Sequence, residues 1–295
     1  MNKNPVIATH NGRFHADECF AVALLKQIYP EATYIRTRDP ELIEKADIVV
    51  DIGGVHDETK NRFDHHQSGG AGMRENEIPY ASFGLVWNTY SGQLSQNLEV
   101  LRIVEKNLVM PIDAMDNGID LIKLLHPIIS PVLLQSILFL FTPTWQEKER
   151  TFEQGFEESL VLAGKILTRS LSHAEAEVTA QNMVLEAYQK SEDKRVIVLE
   201  TKYPYSVLST KDEPLFVVVP DIELGRWKVQ AVGKGPSTYE VRKPFPSNWA
   251  GKRDLELAEE TGVPDAIFCH NARFMAVAGS KEGAMHLADL ALNSS

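Results

Sequence analysis

Three side chains able to bind a metal ion or move a proton, His10, His15 and Asp17, fall within the short segment His10-Asn11-Gly12-Arg13-Phe14-His15-Ala16-Asp17. Asp51 sits near the end of the apolar run Asp47 to Ile52, just before Gly53-Gly54, and Asp64-His65-His66 closes the next short run. Asp113 and Asp116 stand three apart beyond Pro111, on one face if that stretch is helical. Mixed imidazole and carboxylate ligands suit first-row divalent ions such as Mn²⁺, Co²⁺, Fe²⁺ or Zn²⁺ better than Ca²⁺, and a shared Asp can bridge two of them. Two ions about 3.5 to 4 Å apart can activate a water and hold the attacking and leaving oxygens of a phosphoester. The chemistry expected is in-line hydrolysis at phosphorus. Taken singly, each residue has an ordinary reading, since His at a strand end caps a turn and Asp before Gly-Gly forms one. Their joint placement is harder to obtain by accident.

That placement depends on the elements carrying them. Val6 to Thr9 reads as a short apolar strand. Ala16 to Tyr29 reads as a helix with Phe20, Ala21, Leu24, Leu25 and Ile28 at helical spacing, ended by Pro30. Tyr34 to Arg38, Asp47 to Ile52 and Asn61 to Asp64 read as further strands. This β-α-β-β opening predicts an α/β fold, a mostly parallel sheet flanked by helices. Ligands gather at the carboxyl ends of such strands, where His10, Asp51, His65 and His66 all fall.

Helical patterns follow at Ser82 to Tyr90 and Glu99 to Met110. Leu121 to Phe141 is the most apolar stretch, but Lys123, His126, Pro127, Pro131 and Gln135 interrupt it and its clean run from Val132 is too short for a bilayer; a buried helix is expected there. Phe156, Leu160, Ala163, Leu167, Leu171, Ala174 and Val178 mark a helix seam that could run from Gln146 to Lys190, either two helices or, as favoured, a connector between domains. Irregular flanking charge favours intramolecular packing of this seam over a coiled coil, while a homodimer stays open. After Ser191 strand signals take over at Val196 to Leu199, Leu215 to Val219 and Trp227 to Val232, which puts the domain boundary near Ser191.

The chain has 295 residues, 43% of them hydrophobic and 24% charged, which excludes disorder and collagen. Its 30 Lys plus Arg against 41 Asp plus Glu leave a net charge of −11, so bulk charge will not clamp nucleic acid. Positive charge for phosphate chemistry must be local, and bound divalent ions would supply it. Cys19 and Cys269, far apart, indicate neither a zinc knuckle nor a disulfide framework and fit a reducing compartment. Met-Asn-Lys-Asn-Pro runs directly into a strand, leaving no room for a cleaved leader, and the expected location is cytoplasmic with no membrane partner.

The motif set resembles the DHH superfamily of phosphoesterases, which includes RecJ-type exonucleases, oligoribonuclease-like enzymes and family II inorganic pyrophosphatases. The triplet is Asp64-His65-His66, the first motif His10 with His15 and Asp17, the second Asp51 and the fourth Asp116. More narrowly, Thr9-His10-Asn11-Gly12, Arg36-Thr37-Arg38-Asp39-Pro40, Val50-Asp51-Ile52-Gly53-Gly54, Phe63-Asp64-His65-His66-Gln67 and Ile112-Asp113-Ala114-Met115-Asp116-Asn117-Gly118 resemble the melanocyte proliferating gene family. The similarity continues at Gly251-Lys252-Arg253-Asp254 and Ile267-Phe268-Cys269-His270. Members of that family are often labelled metal-dependent hydrolases, and some are assigned as 3′-to-5′ RNA exonucleases.

By this resemblance residues 1–190 form a DHH-type catalytic domain including a long connecting helix, and residues 191–295 a smaller α+β domain that grips substrate. Asp17, Asp51, His65 and Asp116 would hold one ion, with His10, His15 and the bridging Asp51 holding the other. Asp113 competes with Asp116. His66 would face the phosphate and protonate a leaving oxygen, acting with Asp51 and His65 in catalysis. His15 stands where the superfamily commonly has Asp, which softens the site toward Mn²⁺, with Mg²⁺, Co²⁺ or Zn²⁺ as alternatives. Arg253, His270 and Lys281 become candidate contacts for an RNA or short oligonucleotide substrate. Gly279 to Ala284, ahead of an apolar helical pattern, offers either an anion site at a helix N-terminus or a plain turn. The alternatives are a pyrophosphatase or small-molecule phosphodiesterase, and a non-catalytic metal- and nucleotide-binding module.

Overall fold

The computed structural model describes residues 4–294 apart from Pro127, Pro236, Ser237 and Tyr239. The chain divides into two compact units, Met1–Glu175 and Ala176–Ser295.

In the first unit β1 (Val6–Thr9) leads into α1 (Ala16–Ile28), followed by β2 (Thr33–Arg36), α2 (Pro40–Lys45), β3 (Ile48–Val50), β4 (His56–Asp57) and β5 (Arg62–Phe63). The strands form one sheet in the order β2-β1-β3-β5-β4, parallel throughout except for the edge strand β4. Both faces of its centre are covered, so Ile7, Ala8, Val49 and Val50 are fully buried and the strands read as continuous apolar runs. Helix α1 is buried from Ala16 to Leu25 and packs against α3 (Ser82–Tyr90) through Phe20 and Phe83, with ring centroids 5.5 Å apart.

The expected helix from Glu99 to Met110 is broken into α4 (Leu98–Val104), a π-helical turn at Glu105–Val109 and α5 (Met110–Asp116). Pro111 accounts for this: it lacks the N–H that would reach the carbonyl four residues back, and its ring would press on that carbonyl, so the preceding turn widens. The expectation of a buried helix over Leu121 to Phe141 is wrong. Among the described residues of this stretch, which leave out Pro127, only α6 (Leu134–Phe139) is helical, and Leu125, Ile128, Ile129 and Val132 are largely exposed. Apolar composition alone cannot supply backbone hydrogen bonds, and Pro131 interrupts any ladder there.

Helix α7 (Phe152–Lys190) is one unbroken helix of 39 residues, and the division between units falls inside it. Its first part buries Phe156 against Phe14 and Tyr34; its last part buries Val184 in the second unit. The second unit holds β6 (Val196–Val198), β7 (Phe216–Asp221), β8 (Arg226–Ala231), α8 (Asp254–Thr261), β9 (Ala266–Cys269), β10 (Met275–Ala278) and α9 (Lys281–Asn293). Its sheet runs β6-β7-β8-β10-β9, parallel only between β6 and β7. Alternation along β7 sorts the core: Phe216 and Val218 join Leu287 and Ala291 of α9, whereas Val217 and Val219 join Val184 of α7. Among the described residues no helix is long and apolar enough to cross a membrane.

Candidate metal centre

His10 follows β1 directly, and the loop it opens returns to the sheet edge because Arg36 holds it. The buried Arg36 guanidinium donates to the Gly12 carbonyl at 2.7 Å and lies 4.4 Å from the Phe156 ring centre. His15 then begins α1, its N–H donating to both carboxylate oxygens of Glu18 at 2.8 and 2.9 Å. This is half of a capping box, with His in place of the usual Ser or Thr. It sets Asp17 and Glu18 in the first helical turn, both fully buried, where the positive end of the helix dipole favours negative charge. Asp51 leaves β3 with φ at +57°, a left-handed conformation that turns its carboxylate away from the sheet. Strain of this kind in a non-glycine residue collects at functional sites.

These elements bring His10, His15, Asp17, Asp51, His65 and Asp116 together. The Asp51 carboxylate points two ways: Oδ2 lies 3.3 Å from His10 Nε2 and Oδ1 lies 3.4 Å from His65 Nε2. His65 Nε2 also lies 3.1 Å from Asp116 Oδ2 and 4.0 Å from Asp17 Oδ2, and His10 Nε2 lies 3.0 Å from Glu18 Oε1. Three groups have donor atoms mutually within 4.8 Å: His10, His15, Glu18 and Asp51; Asp51, His65 and His66; and His15, Asp17 and Asp116. Asp51 belongs to two of them. His66 is different, with its side chain 62% exposed and its Nδ1 held 2.8 Å from Asp64 Oδ1.

Charge in the cluster is unbalanced. Burial pushes the Asp17 carboxyl well above the usual range, and the negative charges of Asp51, Asp116 and Glu18 add to this. Burial would lower His10, yet hydrogen bonds with Asp51 and Glu18 outweigh it and push it up to about 10. His65 behaves alike: burial opposes, while Asp116 and Asp51 prevail and push it up to about 10. Asp51 in turn resists the effect of burial through His10 and His65 and stays well below the usual carboxylate range. Protons on imidazole thus stand where a cation would neutralise the carboxylates.

The residues fit a divalent ion. Both oxygens of Asp17 are buried without a hydrogen-bond partner. His10 Nδ1 lies 3.2 Å from the Asn11 carbonyl; with a proton kept on Nδ1, loss of the Nε2 proton would free that nitrogen's lone pair for an ion among the carboxylates. Asp113 turns elsewhere. Its Oδ2 lies 2.8 Å from Arg74 Nη2 and its Oδ1 accepts from the Gly84 N–H at 3.0 Å, so Asp116, not Asp113, faces the cluster. Burial lifts Asp113 to about 7, with Arg74 pulling the other way.

Two cavities meet at this cluster, sharing His15 and His66 as walls. One, of about 530 Å³, is polar and includes His10, Asp51, Asp64, Gly53 and Gly54 with the exposed cations Arg13 and Arg38. The other, of about 510 Å³, is mainly apolar and also reaches Asp116.

The family model for the MYG1 exonucleases, an uncharacterised protein family (UPF0160), matches residues 6–292. The chain belongs to this family. A MYG1 protein of Schizosaccharomyces pombe is 30% identical, with 99% of each chain covered. A MYG1 protein of Caenorhabditis elegans is 31% identical, covering 97% of this chain and 95% of its own. A human protein named MYG1 exonuclease is 30% identical, covering 96% of this chain and 85% of its own.

Several residues that build the centre in this family member were not singled out from sequence. Glu18 was legible as the third helical residue after His15, the position of a reaching-back carboxylate in a capping box. Ser82, whose Oγ donates to Asp51 Oδ1 at 3.0 Å, carried no local signal, because α3 lies far along the chain. Arg13, Arg36 and Arg38 lay within recognised motifs without a role.

The second-unit candidates are held by their own neighbours. Arg253, exposed at the start of α8, lies over Phe268 at 4.5 Å. His270 flanks the same ring at 6.1 Å and accepts the Ala272 N–H at its Nδ1. Lys281 pairs with Glu200 and lies 5.7 Å from the Trp227 ring centre. At the start of α9 the Ser280 N–H donates to Asp265 Oδ2 at 2.7 Å and Gly283 N–H to Ser280 Oγ at 3.0 Å. Asp265 therefore occupies the place of an incoming anion, and this segment is a capped turn.

Proposed function

We propose that the chain is a metal-dependent phosphodiester hydrolase acting as a 3′-to-5′ exonuclease on RNA or short oligonucleotides. The observation that carries this is Asp51, whose two oxygens face His10 and His65 beside the unpartnered carboxylate of Asp17. Relatives named exonuclease, and the resemblance to DHH phosphoesterases, support a nuclease-type reading.

His10, His15, Glu18 and Asp51 would hold one divalent ion, and Asp17, Asp51, His65 and Asp116 a second, Mn²⁺ being the ion best suited to this mixture. Such ions supply positive charge to phosphate oxygens and make water a better nucleophile. The chain's own residues do the rest. Asp51, fixed by Ser82, keeps the two histidine sides in register. His66, exposed and oriented by Asp64, stands ready to give a proton to the leaving oxygen. Arg13 and Arg38 offer charge-assisted donors to flanking phosphates. Arg253, His270 and Lys281 are further proposed contacts for a phosphate or terminal nucleotide. Two buried free cysteines, Cys19 and Cys269, suit work in the reducing cytoplasm.

The test is purified protein with Mn²⁺ and an end-labelled oligoribonucleotide. Stepwise shortening from the 3′ end is expected, with Asp51→Ala abolishing it while circular dichroism stays unchanged. Faster turnover of pyrophosphate or a small phosphodiester would move the assignment to those substrates. Tight metal binding with no phosphoester turnover would leave a binding module instead.

A further inference from the structure

The two cavities at the metal centre differ in chemistry, and the difference has a direction. The polar one carries Arg13 and Arg38, suited to phosphate. The apolar one is walled by Leu108, Ile112, Met115, Ile122 and Leu133, with Gln135 among its few polar groups. His15, His66 and Asp116 are part of its wall, so a ligand filling it lies beside the cluster. Part of its wall comes from the irregular segment around Ile122 and Val132, where the chain keeps apolar side chains out of the core. The amide nitrogen of Gln135 is buried without a hydrogen-bond partner, while its Oε1 accepts the Ala16 N–H. An unsatisfied donor beside an apolar surface fits a ligand that is flat, largely apolar on its faces and an acceptor at its edge.

We propose that this chamber receives the nucleobase of the nucleotide bearing the scissile phosphate, with Gln135 Nε2 donating to the base edge. This rests on reading the centre as a phosphodiester-cleaving site and specifies its substrate class: nucleotides rather than inorganic or sugar phosphates. A cavity of about 510 Å³ lies within the usual size range for small-molecule sites, roughly 300 to 1,000 Å³. Aliphatic walls grip any base face, and an amide donor can meet an acceptor on every base, so the chamber binds bases with little sequence preference. Phosphates beyond the scissile one would extend toward Arg13 and Arg38.

The experiment is calorimetric titration of the full chain with Mn²⁺ present, using adenosine 5′-monophosphate and ribose 5-phosphate as separate ligands. The wild type is expected to bind the nucleotide about tenfold or more tightly, which corresponds to about 1.4 kcal/mol or more. Ile122→Asp and Leu133→Asp are each expected to bring the two affinities within about twofold of each other. Ile122 is half exposed and Leu133 partly so, and a melting curve checks that both variants fold. Equal affinities in the wild type, or a preference that survives both substitutions, overturn the chamber's assignment. Binding is read without turnover, so failure of the oligonucleotide to shorten would sink the exonuclease reading separately.

Discussion

Near the carboxyl ends of β1 and β3 the first unit buries Asp17, Glu18 and Asp51, which face imidazoles, with Ser82 donating to Asp51 and the His15 N–H to Glu18. In the second unit the buried carboxylate of Asp221 lies 2.8 Å from Lys228 Nζ and 3.3 Å from Arg226 Nε, and the core around it is apolar. Both units come from one acidic chain, so overall composition does not explain the contrast. A fold that only needs stability pairs its buried charges or leaves them out. Carboxylates kept together against that tendency, facing imidazoles instead of Lys or Arg, could hold a metal ion.

The largest effect should come from removing one carboxylate in each unit. Asp51→Ala should lower Mn²⁺-dependent cleavage by about 10³-fold or more. Asp221→Ala should leave cleavage intact and cost stability about 1–3 kcal/mol, because the partly exposed Lys228 and Arg226 lose their buried partner. Equal losses of cleavage in the two variants would erase the contrast.

A second pair of substitutions adds a methyl group against a carboxylate in each unit. A Cβ on Gly84 would lie 1.9 Å from Asp113 Oδ2, and one on Gly283 would lie 2.1 Å from Asp265 Oδ1. Each Gly→Ala change should destabilise by ~1–3 kcal/mol in denaturant titrations. Only Gly84→Ala should also weaken Mn²⁺ binding, because shifting Asp113 moves the helix that carries Asp116.

The pH dependence of the metal-free protein sharpens the comparison further. His10 and His65 rise from 6.5 to about 10 on folding, so the stability they contribute is complete below pH 6.5 and is lost as pH climbs toward 10. The raised Asp17 acts in the same direction. Asp51, held low, contributes above its ordinary 3.8 and loses that contribution on acidification. Melting temperature without metal should therefore fall from about pH 6.5 upward, by a few degrees. Saturating Mn²⁺ should reduce that fall, since metal binding displaces the imidazole protons. A flat profile would contradict the charge balance described here.

The smallest expected effect is a gain. Asp17→Asn removes a buried carboxyl group that burial and its acidic neighbours keep from ionising, and should stabilise the metal-free protein at alkaline pH by about 1 kcal/mol while weakening Mn²⁺ affinity. Chemical denaturation and metal titration of the same sample would show both, and a loss of metal-free stability at that pH would contradict repulsion at Asp17.

Much of this was legible in the chain. Apolar runs at Val6 and Ile48 gave two of the parallel strands, since a doubly covered strand must be apolar on both faces. The helix at Ser82 to Tyr90 matched its observed bounds, and the seam beginning at Phe156 was continuous enough to be one helix. The stretch from Leu121 misled because apolar content reports a preference for burial, not what is available to bury against. Ser82 was invisible for a related reason: its partner, Asp51, is brought near by packing of α3 on α1, not by spacing along the chain.

The sequence by itself determined the kinds of ligand and the strand ends that would carry them, because residue chemistry and short-range periodicity are local properties. Only the tertiary structure decided that Glu18 joins the cluster, that Arg74 draws Asp113 away and leaves Asp116 facing His65, and that apolar residues after α5 line a chamber. The place of Glu18 depends on how β1 is set beside α1, and the other two on partners distant in sequence and on the widened turn before α5, none of which is written in a single segment.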